Sequence, residues 1–372
     1  RYKVSRAKLA YIIDSTAAPI CIIAPISSWA AAVNSYVPED AGITGFQLFL
    51  RTIPYNLYAL LTIAMVLYMI LSGFDFGLMK KHEKNAEKGD LFTSGKDEFD
   101  QIKQENSKSN GHVIDLVLPV VVLIASAIFA MIYTGFLGGA TDIITAFAGC
   151  DAETSLIFAT MITVFSMMIL YLPRKVITFK GFMDSLVDGF KLMIPAITIL
   201  IFAWSLKGIG DALGIASFVE GVVGSNTSAS IIIPAVMFAV AIFLSFSTGT
   251  SWGTFAILVP IVTAMFSSAD SLEMMVISVS AVLAGAVCGD HISPISDTTV
   301  MSSAGAQSNH INHVSTQMQY ALIVAAVCFV GYILAGFVRI WWIVLLISLA
   351  LLLGFLTFMN LSEKSREAKR KR

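Results

Sequence analysis

Apolar residues in this chain come in long, nearly unbroken runs rather than in the alternating or 3.6-spaced patterns of soluble elements. The runs lie at about 9–32, 54–73, 114–134, 154–172, 192–207, 229–247, 253–268, 272–288, 318–337 and 341–359. A bilayer core of about 30 Å takes about 20 such residues per helix. The pattern therefore predicts an all-α polytopic membrane protein with about ten transmembrane helices. The stretch 229–268 is too long for one helix, and the polar break Ser245-Phe-Ser-Thr-Gly-Thr-Ser-Trp252 divides it.

Three interruptions stand out against this background. The run 272–288 opens directly into Cys288-Gly-Asp-His-Ile-Ser-Pro-Ile-Ser-Asp-Thr-Thr-Val-Met-Ser-Ser-Ala-Gly305. An ionisable side chain at membrane depth costs roughly 2.5–3.5 kcal/mol on insertion scales, so it reads as functional by default. Non-helical backbone survives there only where protein or a water-filled cavity covers it. Asp290, Asp297, Ser293, Ser296, Thr298 and Thr299 are oxygen donors in one short segment. Each carboxylate can hold a cation or a proton, since burial favours the protonated form when no cation is near. Pro294 makes one unbroken helix from Asp290 to Asp297 an unfavourable reading. His291 either titrates beside them or donates a hydrogen bond that fixes Asp290.

The second interruption, Ser245 to Thr254, places the hydroxyls of Ser247, Thr248, Thr250 and Ser251 around glycines that let backbone unwind. Hydroxyls and freed carbonyls are the ligand type Na⁺ requires. Hydroxyls bonding back to their own helix would explain them equally simply. The third is Asp14-Ser-Thr-Ala-Ala-Pro19 in the first run, followed by Pro25. Two prolines predict a kinked or unwound helix. Asp14 either caps a helix end through this hydroxyl-rich segment or lines a cavity.

Composition agrees with a membrane protein and adds orientation. The 372 residues are 56% hydrophobic and 13% charged, with a mean hydropathy of +0.80; soluble domains carry roughly 25% charged residues. The net charge of -1 conceals strong segregation. With both ends cytoplasmic and the spans alternating, all of the 24 basic residues except Arg51, Lys207 and Arg339 fall on the inner side, as the positive-inside rule requires. That parity needs 289–306 to enter the membrane and leave on the same side, as a re-entrant segment. Cys21, Cys150, Cys288 and Cys328 have neither disulfide nor zinc spacing. The chain starts on Arg1 with a basic polar stretch instead of a signal peptide, and is expected to be an excerpt lacking the N-terminal part of a longer protein.

The remaining segments are ordinary. A cytoplasmic loop is expected at about 74–113, a basic cytoplasmic tail at 360–372, and a loop at Asn309–His313. Arg174 to Lys191 reads as an amphipathic helix lying along the interface before the span 192–207. The whole of 1–372 then forms a single transmembrane domain. No Gly-x-Ser-x-Gly or His-Glu-x-x-His pattern points to an enzyme.

At its interruptions the chain resembles the NhaC-type sodium/proton antiporters of the ion-transporter superfamily. The resemblance rests on Gly-Asp-His-Ile-Ser-Pro-Ile-Ser-Asp-Thr-Thr-Val-Met-Ser-Ser at 289–303, Phe-Ser-Thr-Gly-Thr-Ser-Trp-Gly-Thr at 246–254 and Asp-Ser-Thr-Ala-Ala-Pro at 14–19, in that family's order. It implies an inverted-repeat secondary transporter with discontinuous helices meeting near the midplane. It also implies that Asp290, Ser293, Asp297, Thr298 and Thr299 face the ion, with Ser247, Thr248, Thr250 and Ser251 on a neighbouring broken helix. The expected activity is exchange of Na⁺ for H⁺ in a bacterial or archaeal cell membrane, without a cofactor. Relatives with this motif also move organic acids or amino acids, and that is the alternative. Lipid and small ions are the expected partners, self-association into a homo-oligomer is compatible, and nothing points to nucleic acid.

Overall fold

The computed structural model describes residues 3–34, 43–93, 112–212, 230–266 and 271–370. The lysines at 96, 103 and 108 and the end of the basic tail lie outside them. Every regular element among the described residues is helical, and the chain divides into two compact units, 1–23 with 51–101 and 205–372, and 24–50 with 102–204.

In the first unit, α1 (Arg6–Cys21) starts where the Ser5 side chain accepts the Lys8 N–H. It ends two residues beyond Pro19, and a turn containing Pro25 follows. The predicted span 9–32 is therefore broken, as the two prolines require. The second unit begins with α2 (Ser28–Asn34) and α3 (Gly45–Thr52). A 3₁₀ turn then leads back into the first unit, to α4 (Leu57–Ser72), whose Asn56 cap accepts the Ala59 N–H, and to α5 (Gly77–Glu87). The predicted loop from residue 74 is thus partly a packed helix. Met79, His82 and Ala86 are buried, and Lys8 Nζ on α1 reaches Asp75 at 2.7 Å.

The second unit continues with α6 (Ile114–Leu137), α7 (Ile143–Ala148) and α8 (Ala152–Tyr171). α6 and α8 pack together, joined by Thr134 and Ser155 hydroxyls 3.0 Å apart and by the Arg174–Asp115 ion pair. Next comes α9 (Phe179–Ala212), one continuous helix where sequence reading separated an interfacial helix from a span at 192–207. Residues 179–190 and the apolar run share one helical period with no cap between them, so propagation costs less than a new start.

The first unit resumes with α10 (Ile233–Thr248) and α11 (Ser251–Met265), divided where the hydroxyl-rich break was predicted. The remaining helices are α12 (Leu272–Ile292), α13 (Asp297–Ala306), α14 (His310–Val338) and α15 (Trp341–Arg370). α12 is the axis of this unit: every residue from Met274 to Ile292 is buried. Gly285 and Gly289, one turn apart, allow that burial. A Cβ at Gly285 would stand 2.5 Å from the Phe238 carbonyl, and one at Gly289 would meet the Ile242 carbonyl and Ser245 Cβ. Small residues at this spacing let helix backbones approach closely in a membrane, so α10 lies directly on α12.

Six helical stretches among the described residues are long and apolar enough to cross a membrane: Leu57–Glu87, Ile114–Leu137, Ala152–Tyr171, Leu272–Ile292, His310–Val338 and Trp341–Ser365. Ile233–Thr248 and Ser251–Met265 are shorter. The ten expected spans are thus not all matched by full-length helices. Two boundaries move as well. α12 runs on to Ile292, so Gly289, Asp290 and His291 end a helix instead of opening a loop. The supposed loop Asn309–His313 is the capped start of α14, where Asn309 accepts the Asn312 N–H.

Candidate functional site

The end of α12 is where the buried polar side chains of the first unit converge. Asp290 is 2% exposed and Asp14 is 0% exposed. Four helices and one turn bring their neighbours in. Ser293 leaves the helix in extended conformation, and the turn 293–296 reverses the chain into α13. There Ser296 caps the new helix by accepting the Thr299 N–H, which aims Thr298 and Thr299 back at α12.

Thr298 Oγ1 donates to Asp290 Oδ2 at 3.1 Å and lies 2.9 Å from Ser296 Oγ. The Ser296 and Ser251 hydroxyls face the same carboxylate. Ser251 opens α11, and its hydroxyl also reaches the Ala286 carbonyl at 3.3 Å. Asp290 Oδ1 is buried without a hydrogen-bond partner. Close by are the carbonyls that end α12, a helix terminus with partial negative charge. Among the described residues no three His, Cys, Asp or Glu side chains form a set able to hold a metal ion. A cation here would therefore rest on one carboxylate with hydroxyl and carbonyl oxygens.

Asp14 occupies the other side of the same cluster. It sits in the third turn of α1, far from the Ser5 cap, so the capping reading does not hold. Its Oδ2 accepts Thr299 Oγ1 at 3.2 Å and Gln317 Nε2 at 2.6 Å, with His313 Nε2 at 3.5 Å. Its Oδ1 lies 3.9 Å from His291 Nε2. His291 does not hold Asp290, as one reading had it: its Nδ1 is 3.1 Å from the Tyr58 hydroxyl. Adjacent residues on a helix point about 100° apart, so Asp290 and His291 face different neighbours.

The other predicted residues are placed apart. Asp297 is exposed at the first turn of α13, where its Oδ1 accepts the Thr298 N–H at 2.9 Å. Ser247 and Thr248 are exposed, and their hydroxyls donate to the Phe243 and Leu244 carbonyls of their own helix. Thr250 is the extended residue before α11 and makes no side-chain cap. Ser293 Oγ donates to the Phe246 carbonyl at 2.9 Å, fastening this turn to the other break.

Tyr58 and Gln317 carried no functional expectation, and His313 was expected in a loop. The polar pair His313 and Gln317, four apart just ahead of an apolar run, was the available signal. Four-residue spacing puts both on one helix face, and both are fully buried.

Membrane-length apolar helices enclosing a carboxylate and hydroxyl cluster make this an integral membrane protein. The chain belongs to the Na⁺/H⁺ antiporter family, which it matches over residues 9–337. It is 38% identical over 348 residues to an uncharacterized protein of Haemophilus influenzae, covering 91% of this chain and 65% of that one. It is 27% identical over 165 residues to the malate-2H⁺/Na⁺-lactate antiporter of Bacillus subtilis, covering 43% of this chain and 34% of that one. The chain thus spans less than two-thirds of the length of either relative. No solved structure matches it.

Proposed function

We propose that the chain forms the binding core of a secondary transporter that exchanges Na⁺ for H⁺. The observation that carries this is Asp290. It is a buried carboxylate at the carbonyl end of α12, with Thr298, Ser296 and Ser251 hydroxyls around it and one oxygen unpaired. An isolated charge in this position would be costly. Either a sodium ion or a proton removes that cost, and the two exclude each other. Mutual exclusion at one carboxylate is sufficient for exchange once the protein alternates between two access states. Protons arriving from outside then displace Na⁺ bound from the cytoplasm, with both chain ends on the cytoplasmic side.

The test is fluorescence-reported proton flux in everted vesicles containing the full-length protein, challenged in turn with Na⁺, Li⁺ and K⁺. Native protein should dissipate the pH gradient on addition of Na⁺, and Asp290→Asn should not. Unchanged Na⁺-dependent flux in Asp290→Asn rejects the assignment.

A second reading is coupled exchange of an organic acid. It is favoured by the similarity to an antiporter whose name includes malate and lactate. Proton flux driven by such acids, with none driven by Na⁺ alone, selects it.

A further inference from the structure

The geometry points to Gln317 as a positioning residue for this site: its one amide ties Asp14 to the carbonyl end of α12 and so sets where Asp290 stands. The inference rests on the cation-site reading above. Gln317 is fully buried on α14. Its Nε2 donates to Asp14 Oδ2 and to the His291 carbonyl, both at 2.6 Å. The amide's orientation follows from chemistry, because a carboxylate and a carbonyl are both acceptors and only the nitrogen can serve them. Its two hydrogens are then both used.

A second side chain also holds Asp14. Thr299 Oγ1 donates to the same Asp14 oxygen at 3.2 Å and stands 3.5 Å from the Asp290 carbonyl. The single Thr299 proton goes to Asp14 and the Asp290 carbonyl accepts the Ser293 N–H at 3.1 Å, so the last turn of α12 hangs from Asp14 through one carbonyl, that of His291. The last carbonyls of a helix have no partner within the helix, so this end takes its position from whatever holds it. Asp14 itself touches no carbonyl of α12 in this set; Gln317 transmits its hold. Gln317 carries no charge and no hydroxyl, and both of its amide hydrogens are committed to Asp14 and the His291 carbonyl. Its effect is on geometry. Loss of an outer partner that orients a metal ligand lowers metal affinity about 10–100-fold, and the same scale applies here.

The experiment measures the Na⁺ concentration giving half-maximal proton flux in everted vesicles of the full-length protein, normalised to transporter content in the membrane. Gln317→Leu keeps the approximate shape and removes both donors. Gln317→Glu keeps the length and turns a donor toward two acceptors into an acceptor. Both should raise half-saturation by at least about tenfold, with a smaller change in maximal rate. Gln317→Asn, shorter by one methylene, should fall between them and the native protein. Gln317→Glu serves as the folding control if the leucine variant fails to reach the membrane. Half-saturation within about twofold of native in both variants, or a loss of maximal rate at unchanged half-saturation, overturns the inference. If Asp290→Asn abolishes flux while the Gln317 variants bind Na⁺ normally, the cation site stands and only the positioning role is lost. If Asp290→Asn has no effect, both fall.

Discussion

Two helix breaks lie side by side in this protein, and they use the same residue types to opposite ends. The break between α10 and α11 holds Ser247, Thr248, Thr250 and Ser251; the break between α12 and α13 holds Ser293, Ser296, Thr298 and Thr299. In the first, Ser247 and Thr248 turn their hydroxyls back on the carbonyls of α10 and face outward. Only Ser251, on the far side of the turn, is aimed at Asp290. In the second, the reversal at 293–296 starts a new helix that faces the old one, and Thr298 and Thr299 bond across the gap to Asp290 and Asp14. A run of hydroxyls is therefore not a site in itself. It becomes a candidate for one where the chain reverses and a buried carboxylate competes with the helix carbonyls for the hydroxyl protons.

The largest expected effect tests that contrast at its centre. Asp290→Asn should reduce Na⁺-dependent proton flux by at least about 25-fold, since truncating a buried, hydrogen-bonded charge costs about 2–5 kcal/mol and each 1.4 kcal/mol is tenfold. The measurement is initial flux in everted vesicles at saturating Na⁺. Retention of more than a tenth of native flux would mean that the break at 293–296 is scaffolding like the other one.

Next in size is Gly249→Ala, which acts through the first break on the second. Gly249 ends α10 with φ +69°, a left-handed conformation that a residue with a Cβ adopts at a cost of about 1–2 kcal/mol. The new Cβ would also stand 2.7 Å from Ile295 Cγ1 and 2.8 Å from the Ile295 carbonyl. The turn 293–296 must then give way, and with it the Ser296 cap that aims Thr298. Na⁺ half-saturation should rise roughly tenfold and the thermal unfolding midpoint in detergent should fall. A lowered midpoint with unchanged half-saturation would show that the two turns touch without being coupled.

Asp297→Asn is expected to do less, under about fivefold on either flux or half-saturation. Asp297 is exposed, and a carboxylate on the first turn of a helix contributes about 0.3–1 kcal/mol through the helix dipole. A loss as large as that of Asp290→Asn would restore Asp297 to the ion's path.

Much of this was legible in the residues and some of it could not be. Asp290 was visible because a carboxylate at the end of an apolar run has no structural use in lipid. The division of α10 from α11 was visible in Gly249 and its polar neighbours. The separate placements of Asp290 and Asp297 were not, because the turn between them resets the helical phase and seven-residue spacing stops meaning a shared face. The Asp14 cluster was hidden for a different reason. Asp14 and Gln317 are 303 positions apart, and no local period connects them. His313 looked like part of a loop because two turns of mostly polar residues precede the apolar part of α14, yet His313, Val314, Thr316 and Gln317 on those turns are buried.

The smallest expected effect is the most direct test of the opening contrast. Ser247→Ala combined with Thr248→Ala removes two of the hydroxyls that the family resemblance places near the ion. In the structure each hydroxyl serves only a carbonyl of the preceding turn, and that carbonyl keeps its helical N–H partner without it. Exposed changes away from caps and cores usually stay within about 0.5 kcal/mol, or about twofold. Na⁺ half-saturation and maximal flux should both remain in that range. A tenfold rise in half-saturation would mean that the end of α10 rotates toward Asp290 in another access state. The first break would then join the second as a wall of the site during transport.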